Sequence, residues 1–203
     1  MSEFVRTLET LELVGGALCL DFVNTVNSRV NPEHDYLTDY SDLVGWAHKV
    51  RILSPAQTRQ IQKQAAPAVK QADTALQQAL KYRELLYRIF SNAAKSAEPD
   101  RKDMQAFVAA YGEAISQSEF IENDDHYAMT WNVNQALDSL LWPVLHSAGE
   151  LLLHGDLDHV KECPGCSWLF LDSSKNQSRR WCSMNTCGAR DKMRRYHKRQ
   201  RAK

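Results

Sequence analysis

Four cysteines near the end of the chain have the spacing of a metal site. They form two close pairs, Cys163 with Cys166 and Cys182 with Cys187, and fifteen residues separate the pairs. Two such pairs supply the four thiolates of a tetrahedral Zn²⁺ site, because a short gap lets one turn direct two sulfurs at the same point. The spacing therefore predicts one structural zinc ion whose four coordination positions are all taken by the protein.

Other uses of the same cysteines fit the sequence less well than zinc. Four of the five cysteines fall within 25 residues, a density that unrelated buried thiols rarely reach. The sequence begins without a signal-peptide pattern, so we expect a reducing cytoplasm, which disfavours disulfide bonds. An iron–sulfur cluster would use the same ligands, but the paired spacing favours zinc.

The residues around the cysteines predict a small metal-bound fold. Gly165 suits the tight turn within the first pair. The segments 168–172 and 179–181 flank a polar turn and predict a β-hairpin. Ser183 is placed to cap a helix whose first turn holds Cys187, where the helix dipole favours a thiolate. Turn, hairpin and helix in this order are the parts of a treble-clef-like finger.

The same region resembles the CGNR zinc finger, a family named for the Cys-Gly-Asn-Arg that closes its metal site. The resemblance is carried by the runs 168–172, 178–184 and 187–190. Ala189 stands where the family has asparagine, so the last run reads Cys-Gly-Ala-Arg. This difference leaves the four cysteine ligands in place.

The C-terminal segment of the chain is basic, and the rest of the chain is acidic. From Lys161 onward there are 12 Lys and Arg against 3 Asp and Glu, and the rest of the chain has 13 against 22. A basic segment of this kind neutralises phosphates and predicts a nucleic-acid partner. We predict that eight residues contact nucleic acid: Arg179, Arg180, Arg190, Lys192, Arg194, Arg195, Lys198 and Arg199. A solvated basic helix without a partner is the alternative. Met193 and Tyr196 in this segment are expected to pack toward the hairpin.

The first 155 residues predict a mainly helical domain. Apolar residues recur at helical spacing, and Ser54 followed by Pro55 has the pattern of a capped helix start. The predicted helices cover residues 39–50, 55–66, 68–97, 100–116 and 134–154, the last of them kinked at Pro143.

Two further segments of this domain are predicted to be non-helical. Residues 27–38, which contain Asn31 and Pro32, read as a loop. Aromatic and β-branched residues on both sides of an Asn-Asp-Asp turn predict a hairpin over 119–131.

Residues 17–26 are mostly apolar but carry Asp21 and Asn24 on one helical face. This stretch resembles the signature of the ABATE domain, which often precedes a CGNR finger. The resemblance implies a stress-induced transcription regulator. The two polar residues have two interpretations: they line a small-molecule pocket, or they bond to backbone groups, which is the commoner use of short polar side chains.

We therefore predict a mainly α protein with a minor β component. Residues 1–155 are expected to form an ABATE-like helical domain, and residues 156–203 a four-cysteine zinc finger. No apolar run approaches the length of a membrane helix, and we expect a cytoplasmic protein, associated with the nucleoid if it binds DNA.

The expected function is transcription regulation through DNA binding by the finger, with an N-terminal domain that senses a signal or dimerises. Two alternatives stay open: a zinc-stabilised adaptor for an acidic protein partner, and an RNA-binding protein in which exposed Trp168, Phe170 and Tyr196 would stack on bases. We expect no enzyme, because the sequence has no nucleophile–base pattern and no Gly-rich phosphate loop. The signal and the oligomeric state have no signature in the sequence.

Overall fold

The structure is a computed structural model, and it describes residues 7–30 and 34–201. Residues 1–6, 31–33 and 202–203 lie outside the described part. Asn31 and Pro32 of the predicted loop are among them.

Six α-helices build the N-terminal part of the described chain. The second to fifth begin and end within four residues of the predicted positions, the last only ends where predicted, and the first had no predicted bounds. They are α1 (Leu18–Val23), α2 (Tyr40–Lys49), α3 (Pro55–Ala65), α4 (Val69–Ala93), α5 (Arg101–Ser116) and α6 (Trp142–His154).

Side-chain caps explain why three of these helices begin where they do. The carboxylate of Asp39 accepts a hydrogen bond from the backbone N–H of Asp42, at the third position of α2. Ser54 caps α3 in the same way and is followed by Pro55 at the first helical position. Asp100 accepts from two backbone N–H groups of α5. Such caps satisfy N–H groups that have no partner within the helix.

Helix α1 lies at the centre of the hydrophobic core. Leu20, Phe22 and Val23 are completely buried against α4 and α6. The ring of Phe22 packs on Trp46 of α2, with ring centroids 5.0 Å apart. Because four of its six residues are buried, most of the run from which this short helix forms is apolar.

A two-stranded antiparallel hairpin follows α5, as predicted. Strand β1 (Ser118–Asn123) pairs with β2 (His126–Trp131), and Ser118 lies opposite Trp131. The indole N–H of Trp131 donates to the carbonyl of Ala114 at 2.7 Å and fixes this end of the hairpin to α5.

The predicted helix over 134–154 is wrong in its first half. Helix α6 begins at Trp142, after a short 3₁₀ turn over Ser139–Leu141. Pro143 therefore lies in the first turn and does not kink the helix. Proline lacks an N–H, and the first turn is the place where a helix has no use for one.

The finger contains a hairpin, but not the predicted one. Strand β3 (Val160–Glu162) pairs with β4 (Leu169–Leu171), so the first cysteine pair lies in the connection between the two strands. Residues 179–181 form no strand. A single π-turn over Met184–Gly188 then leads into helix α7 (Ala189–Arg201).

Asp172 explains why the predicted second strand does not form. Its carboxylate accepts from the backbone N–H groups of Ser174 and Arg179, at 3.0 and 2.9 Å. The N–H of Arg179 is thus held by a side chain, and the segment closes into a loop. The fold class is nevertheless the predicted one, mainly α with a minor β component. None of the described helices is both long and apolar enough to cross a membrane.

Candidate metal centre and basic helix

The four predicted ligands meet at one point. The sulfurs of Cys163, Cys166, Cys182 and Cys187 all lie within 4.8 Å of one another, and all four residues are buried. The Cys166 and Cys182 sulfurs are 3.5 Å apart. Four thiolates around Zn²⁺ at a bond length of about 2.3 Å leave neighbouring sulfurs under 4 Å apart, so the cluster has the dimensions of one zinc site.

The turn of the first pair is held by backbone hydrogen bonds. Cys163 N–H donates to the carbonyl of Trp168, and Ser167 N–H donates to the carbonyl of Cys163, both at 2.8 Å. A Cβ on Gly165 would lie 3.2 Å from the sulfur of Cys187. A side chain there would push the opposite ligand aside by a few tenths of an ångström, which favours glycine at this position.

The second cysteine pair lies at the π-turn that leads into helix α7, so the predicted turn before a helix is confirmed. Gly188 N–H donates to the carbonyl of Ser183 at 3.0 Å, which closes a wide turn around Cys187. The Ser183 side chain makes no capping hydrogen bond, so the predicted cap is wrong. The backbone hydrogen bond from Gly188 to Ser183 closes the turn instead.

The donor set fits a structural zinc ion. Hydrogen bonding between the neighbouring thiols lowers the pKa of Cys163 and raises that of Cys166. Thiolates are the form that binds zinc, and four of them leave no position for a reacting water. The chemistry of this centre is therefore structural: it holds together two turns and the start of α7.

The base of the finger is bonded directly to the helical part of the chain. The buried side chain of Asn24 donates to the carbonyl of Leu169 at 2.8 Å and accepts from the N–H of Leu169 at 2.9 Å. The indole N–H of Trp168 donates to the carbonyl of Val26 at 2.7 Å. Both contacts link α1 and its following residues to strand β4.

Asp21 and Asn24, the candidate pocket residues, therefore bond to backbone groups. Asp21 accepts a hydrogen bond from the N–H of Gly15 at 2.8 Å, and Asn24 uses both ends of its amide on Leu169. Asp21 holds a local turn, in keeping with the second interpretation. Asn24 bridges 145 positions of sequence to the finger, a role that sequence reasoning missed.

Strand β3 is bonded to α4 by a second set of contacts. The carboxylate of Glu162 accepts from the hydroxyl groups of Ser91 and Tyr87, at 2.7 and 3.2 Å, and pairs with Lys95 at 3.1 Å. Burial opposes the ionisation of Glu162, but the hydrogen bonds from Ser91 and Lys95 outweigh it and lower its pKa below the ordinary value.

A cluster of ion pairs lies beside the first cysteine pair, with its two arginines largely buried and its two carboxylates partly exposed. Arg83 of α4 binds both carboxylate oxygens of Asp35, at 2.7 and 2.6 Å. Glu84 binds Arg29 at 2.5 Å, and the backbone N–H of Arg29 donates to the carbonyl of Cys166. The guanidinium of Arg29 also lies 3.7 Å from the ring centre of Tyr87. The turn of the first cysteine pair is thus bonded, through the backbone of Arg29, to this network of paired charges.

The two arginines before Cys182 differ in their surroundings. The Arg179 guanidinium donates to the carbonyls of Trp181 and Cys182 and lies 4.3 Å from the ring centre of Phe170. The Arg180 side chain is exposed beside the Trp181 ring. Arg179 is therefore part of the finger's internal bonding, whereas Arg180 faces solvent.

Helix α7 differs from the finger base, because within it only Asp191 is buried. Asp191 pairs with Arg194 at 2.7 Å and with Arg195 at 2.9 Å. Met193 and Tyr196, predicted to pack toward the hairpin, are each 55% exposed, so that prediction is wrong. Met193 and Tyr196 lie on the side of the helix without Lys or Arg.

The predicted nucleic-acid contacts on α7 are all exposed to solvent. Seven cations cover roughly two thirds of the helix circumference. They are Arg190, Lys192, Arg194, Arg195, Lys198, Arg199 and Arg201.

The fold and the metal centre define a helical protein that ends in a structural four-cysteine zinc finger. Residues 16–155 match a family model, ABATE, described as "putative stress-induced transcription regulator". Residues 159–200 match the model of the CGNR zinc finger. The chain belongs to the ABATE family and carries a CGNR zinc finger at its C-terminal end. No curated protein matches the chain significantly.

Proposed function

We propose that the chain is a non-catalytic transcription regulator that binds duplex DNA through α7. The observation that carries this proposal is the exposure of a strongly cationic helix on a metal-fixed base. The family description supports the regulatory half of the proposal. A DNA-binding role implies action at the nucleoid, in the cytoplasm.

Electrostatics favour a phosphate backbone as the partner of α7. Seven Lys and Arg stand against one acidic residue, Asp191, whose carboxylate is already paired within the helix. Each phosphate that a cation neutralises releases condensed counterions, which makes binding strong and salt-dependent. The diameter of an α-helix fits the major groove, where Arg reads guanine through two hydrogen bonds.

The cations of α7 have two different roles in this proposal. Arg194 and Arg195 are oriented by Asp191, so their guanidinium groups are partly fixed before any contact with DNA. Lys198 and Arg199 are exposed and form no ion pair with another described residue. We assign these two to phosphates, because flexible long cations position a helix without reading sequence.

RNA binding by base stacking is less well supported. Single-stranded RNA is usually recognised by exposed aromatic side chains. Trp168 is only 7% exposed and Phe170 is completely buried, since both pack into the finger base. Of the aromatic residues that sequence reasoning offered for this role, Tyr196 alone is exposed.

Regulation through the N-terminal part is the second element of the proposal. The finger base is bonded to α1 and α4, so a change in those helices would move the metal site and the first turn of α7 together. We propose that a signal or a second copy of the chain acts on DNA binding by this route.

Fluorescence anisotropy on labelled duplex DNA tests the proposal. The zinc-loaded protein and the variant Lys198→Gln/Arg199→Gln would be titrated across a salt series. We expect the variant to bind more weakly and its logarithmic salt slope to fall by about 2, one for each lost phosphate contact.

The matched control is Arg59→Gln/Lys63→Gln, which removes the same charge from the exposed side of α3. It should bind like the unchanged protein. Equal losses in both variants would mean that only net charge matters, and an absence of binding at low salt would overturn the proposal.

A further inference from the structure

The β1–β2 hairpin exposes three large apolar side chains. Phe120, Ile121 and Tyr127 are 67%, 50% and 68% exposed. The base of the hairpin is anchored by Trp131, whose ring packs on His146 of α6. Among the described residues, no third strand joins β1 and β2. A two-stranded hairpin is only marginally stable in water, so the pairing of a further strand would stabilise it.

The two edges of the hairpin differ in charge. Strand β1 carries Glu119 and Glu122, and charged side chains on an edge strand discourage another strand from pairing with it. Strand β2 has the sequence His-Tyr-Ala-Met-Thr-Trp, without Lys, Arg, Asp, Glu or Pro. The edge formed by β2 is therefore the one that can accept a further strand.

The register of the hairpin shows which backbone groups of β2 point outward. Asn123 and His126 flank the two-residue turn and form its closing hydrogen-bonded pair. Hydrogen-bonded and non-hydrogen-bonded pairs alternate along an antiparallel ladder. The N–H and C=O groups of Tyr127 and Met129 therefore point away from β1, toward the outer edge of β2.

We propose that two copies of the chain associate by antiparallel pairing of their β2 strands, about a twofold axis at Ala128. Tyr127 of each copy then exchanges backbone hydrogen bonds with Met129 of the other, and the two hairpins become one four-stranded sheet. A register displaced toward Trp131 is disfavoured, because the carbonyl of Trp131 already accepts from the N–H of Val133. A register displaced toward the turn would pair fewer residues.

This register makes both faces of the four-stranded sheet self-complementary. Residues paired across β1 and β2 share a face, so Phe120 lies beside Met129, and Ile121 lies beside Ala128. On the first face, Phe120 and Met129 continue into Tyr127 of the second copy as one apolar row. On the other face, the central row consists of Ile121 and Ala128 from both copies. Aromatic, sulfur and aliphatic neighbours of this kind stabilise a sheet.

Charge favours β2 over β1 as the shared edge. With β2 strands at the centre, no two carboxylates lie opposite each other in the paired strands. With β1 strands at the centre, Glu119 and Glu122 of both copies would bring four carboxylates together. An isologous contact about a twofold axis is also the commonest way in which identical chains associate.

Sedimentation equilibrium of the zinc-loaded full-length protein, without DNA, tests the proposal. We expect a monomer–dimer equilibrium with a dissociation constant of about 100 μM or below, because a contact made mainly by two strands belongs to the weak class of interfaces. Ala128→Glu places two carboxylates opposite each other at the twofold axis and should weaken the dimer at least about tenfold. The matched control is Ile121→Glu, which puts the same charge on the same face but on the outer strand, and it should change the dissociation constant little.

A mixture of two variants tests the register itself. Ala128→Lys alone should dissociate like Ala128→Glu, but an equimolar mixture of the two should form a heterodimer, because opposite charges then face each other. Restored association also shows that both variants are folded. In the unchanged protein, the amides of Tyr127 and Met129 should exchange more slowly with deuterium at high protein concentration than at low concentration.

The proposal is overturned if the unchanged protein stays monomeric up to about 1 mM, a concentration at which even weak specific contacts are populated. It is also overturned if Ala128→Glu dimerises like the unchanged protein, or if mixing the two variants restores nothing. Because DNA is absent, failure here leaves the proposed function standing, and failure of DNA binding leaves this dimer standing.

Discussion

The base of the finger and helix α7 follow each other in sequence but differ in almost every physical respect. The base, residues 160–188, contains a buried metal site and bonds to α1 and α4 through Asn24, Trp168 and Glu162. Helix α7 buries one residue, Asp191, and exposes all its cations. The difference indicates that the metal and the core fix where the helix starts, while the helix surface remains available for a partner.

The largest effect should come from removing the metal. Cys182→Ser deletes a buried ligand, and structural zinc in finger peptides is worth about 10–16 kcal/mol of apparent free energy. Because the finger shares one hydrophobic core with the helices, we expect the loss to lower the melting temperature of the whole chain in one transition. Calorimetry with and without a chelator measures this.

Two separate unfolding transitions would contradict the view that the finger base and the helices unfold together. If the helical part melted at its usual temperature after zinc loss, the finger base would be an independent domain and its contacts with α1 and α4 would have little energetic weight. Met193→Ala is the matched control, because this side chain is exposed on α7.

Truncation of Trp168 should have the next largest effect. Trp168→Ala removes a buried ring and its hydrogen bond to Val26, and such changes cost about 3–5 kcal/mol of unfolding free energy. Tyr196→Ala on α7 should cost under about 0.5 kcal/mol, because it is a surface change. Urea titration compares them, and equal losses would contradict the assignment of α7 as an unpacked helix.

Asn24→Leu should be somewhat less severe. Leucine has a similar size but leaves the buried N–H and carbonyl of Leu169 without their partners, at a cost of about 1–3 kcal/mol for each unpaired group. The same urea titration measures the loss. An unchanged midpoint would show that the bridge between α1 and β4 contributes nothing.

Acid should weaken the contact between β3 and α4. The pKa of Glu162 is lowered in the folded protein, so its ionised form contributes stability above its unfolded pKa, and this is lost as pH falls through the folded pKa. Glu162→Gln should therefore be less stable than the unchanged protein near neutrality, with a gap that narrows below about pH 4.5.

Thermal melts of both proteins at each pH test this expectation. Zinc release at low pH affects both proteins alike, and the difference between them isolates the carboxylate. Glu150→Gln, at an exposed position of α6, should show no such gap. A constant gap for Glu162→Gln would contradict the expectation.

The smallest effect on stability is expected from α7 itself. Lys198→Gln/Arg199→Gln changes exposed side chains without described ion pairs, so unfolding free energy should shift by less than about 0.5 kcal/mol. A clear loss of stability would mean that α7 is held by contacts other than those of Asp191.

Short-range sequence patterns predict the metal ligands and several of the helix starts. The cysteine spacing located all four ligands, because a tight turn and a helix start need only a few neighbouring residues to form. The caps at Asp39, Ser54 and Asp100 are equally local, and all three mark helix starts within one residue of the prediction.

The failures came from contacts between distant residues or from local competition. Asp172 takes the N–H that a second strand at 179–181 would have needed, and the pairing of β3 with β4 depends on which segments meet around the metal. The bond from Asn24 to Leu169 spans most of the chain and has no short-range signature. Met193 and Tyr196 are predicted to pack toward the hairpin, but both are exposed on α7.

Hydrogen–deuterium exchange with and without duplex DNA is the most direct test of the division between finger base and helix. The account predicts new protection in peptides covering 189–201, and little change in 160–171, whose amides are already bonded to strands and metal turns. Protection confined to α3, α4 or the β1–β2 hairpin, with α7 unchanged, would contradict it.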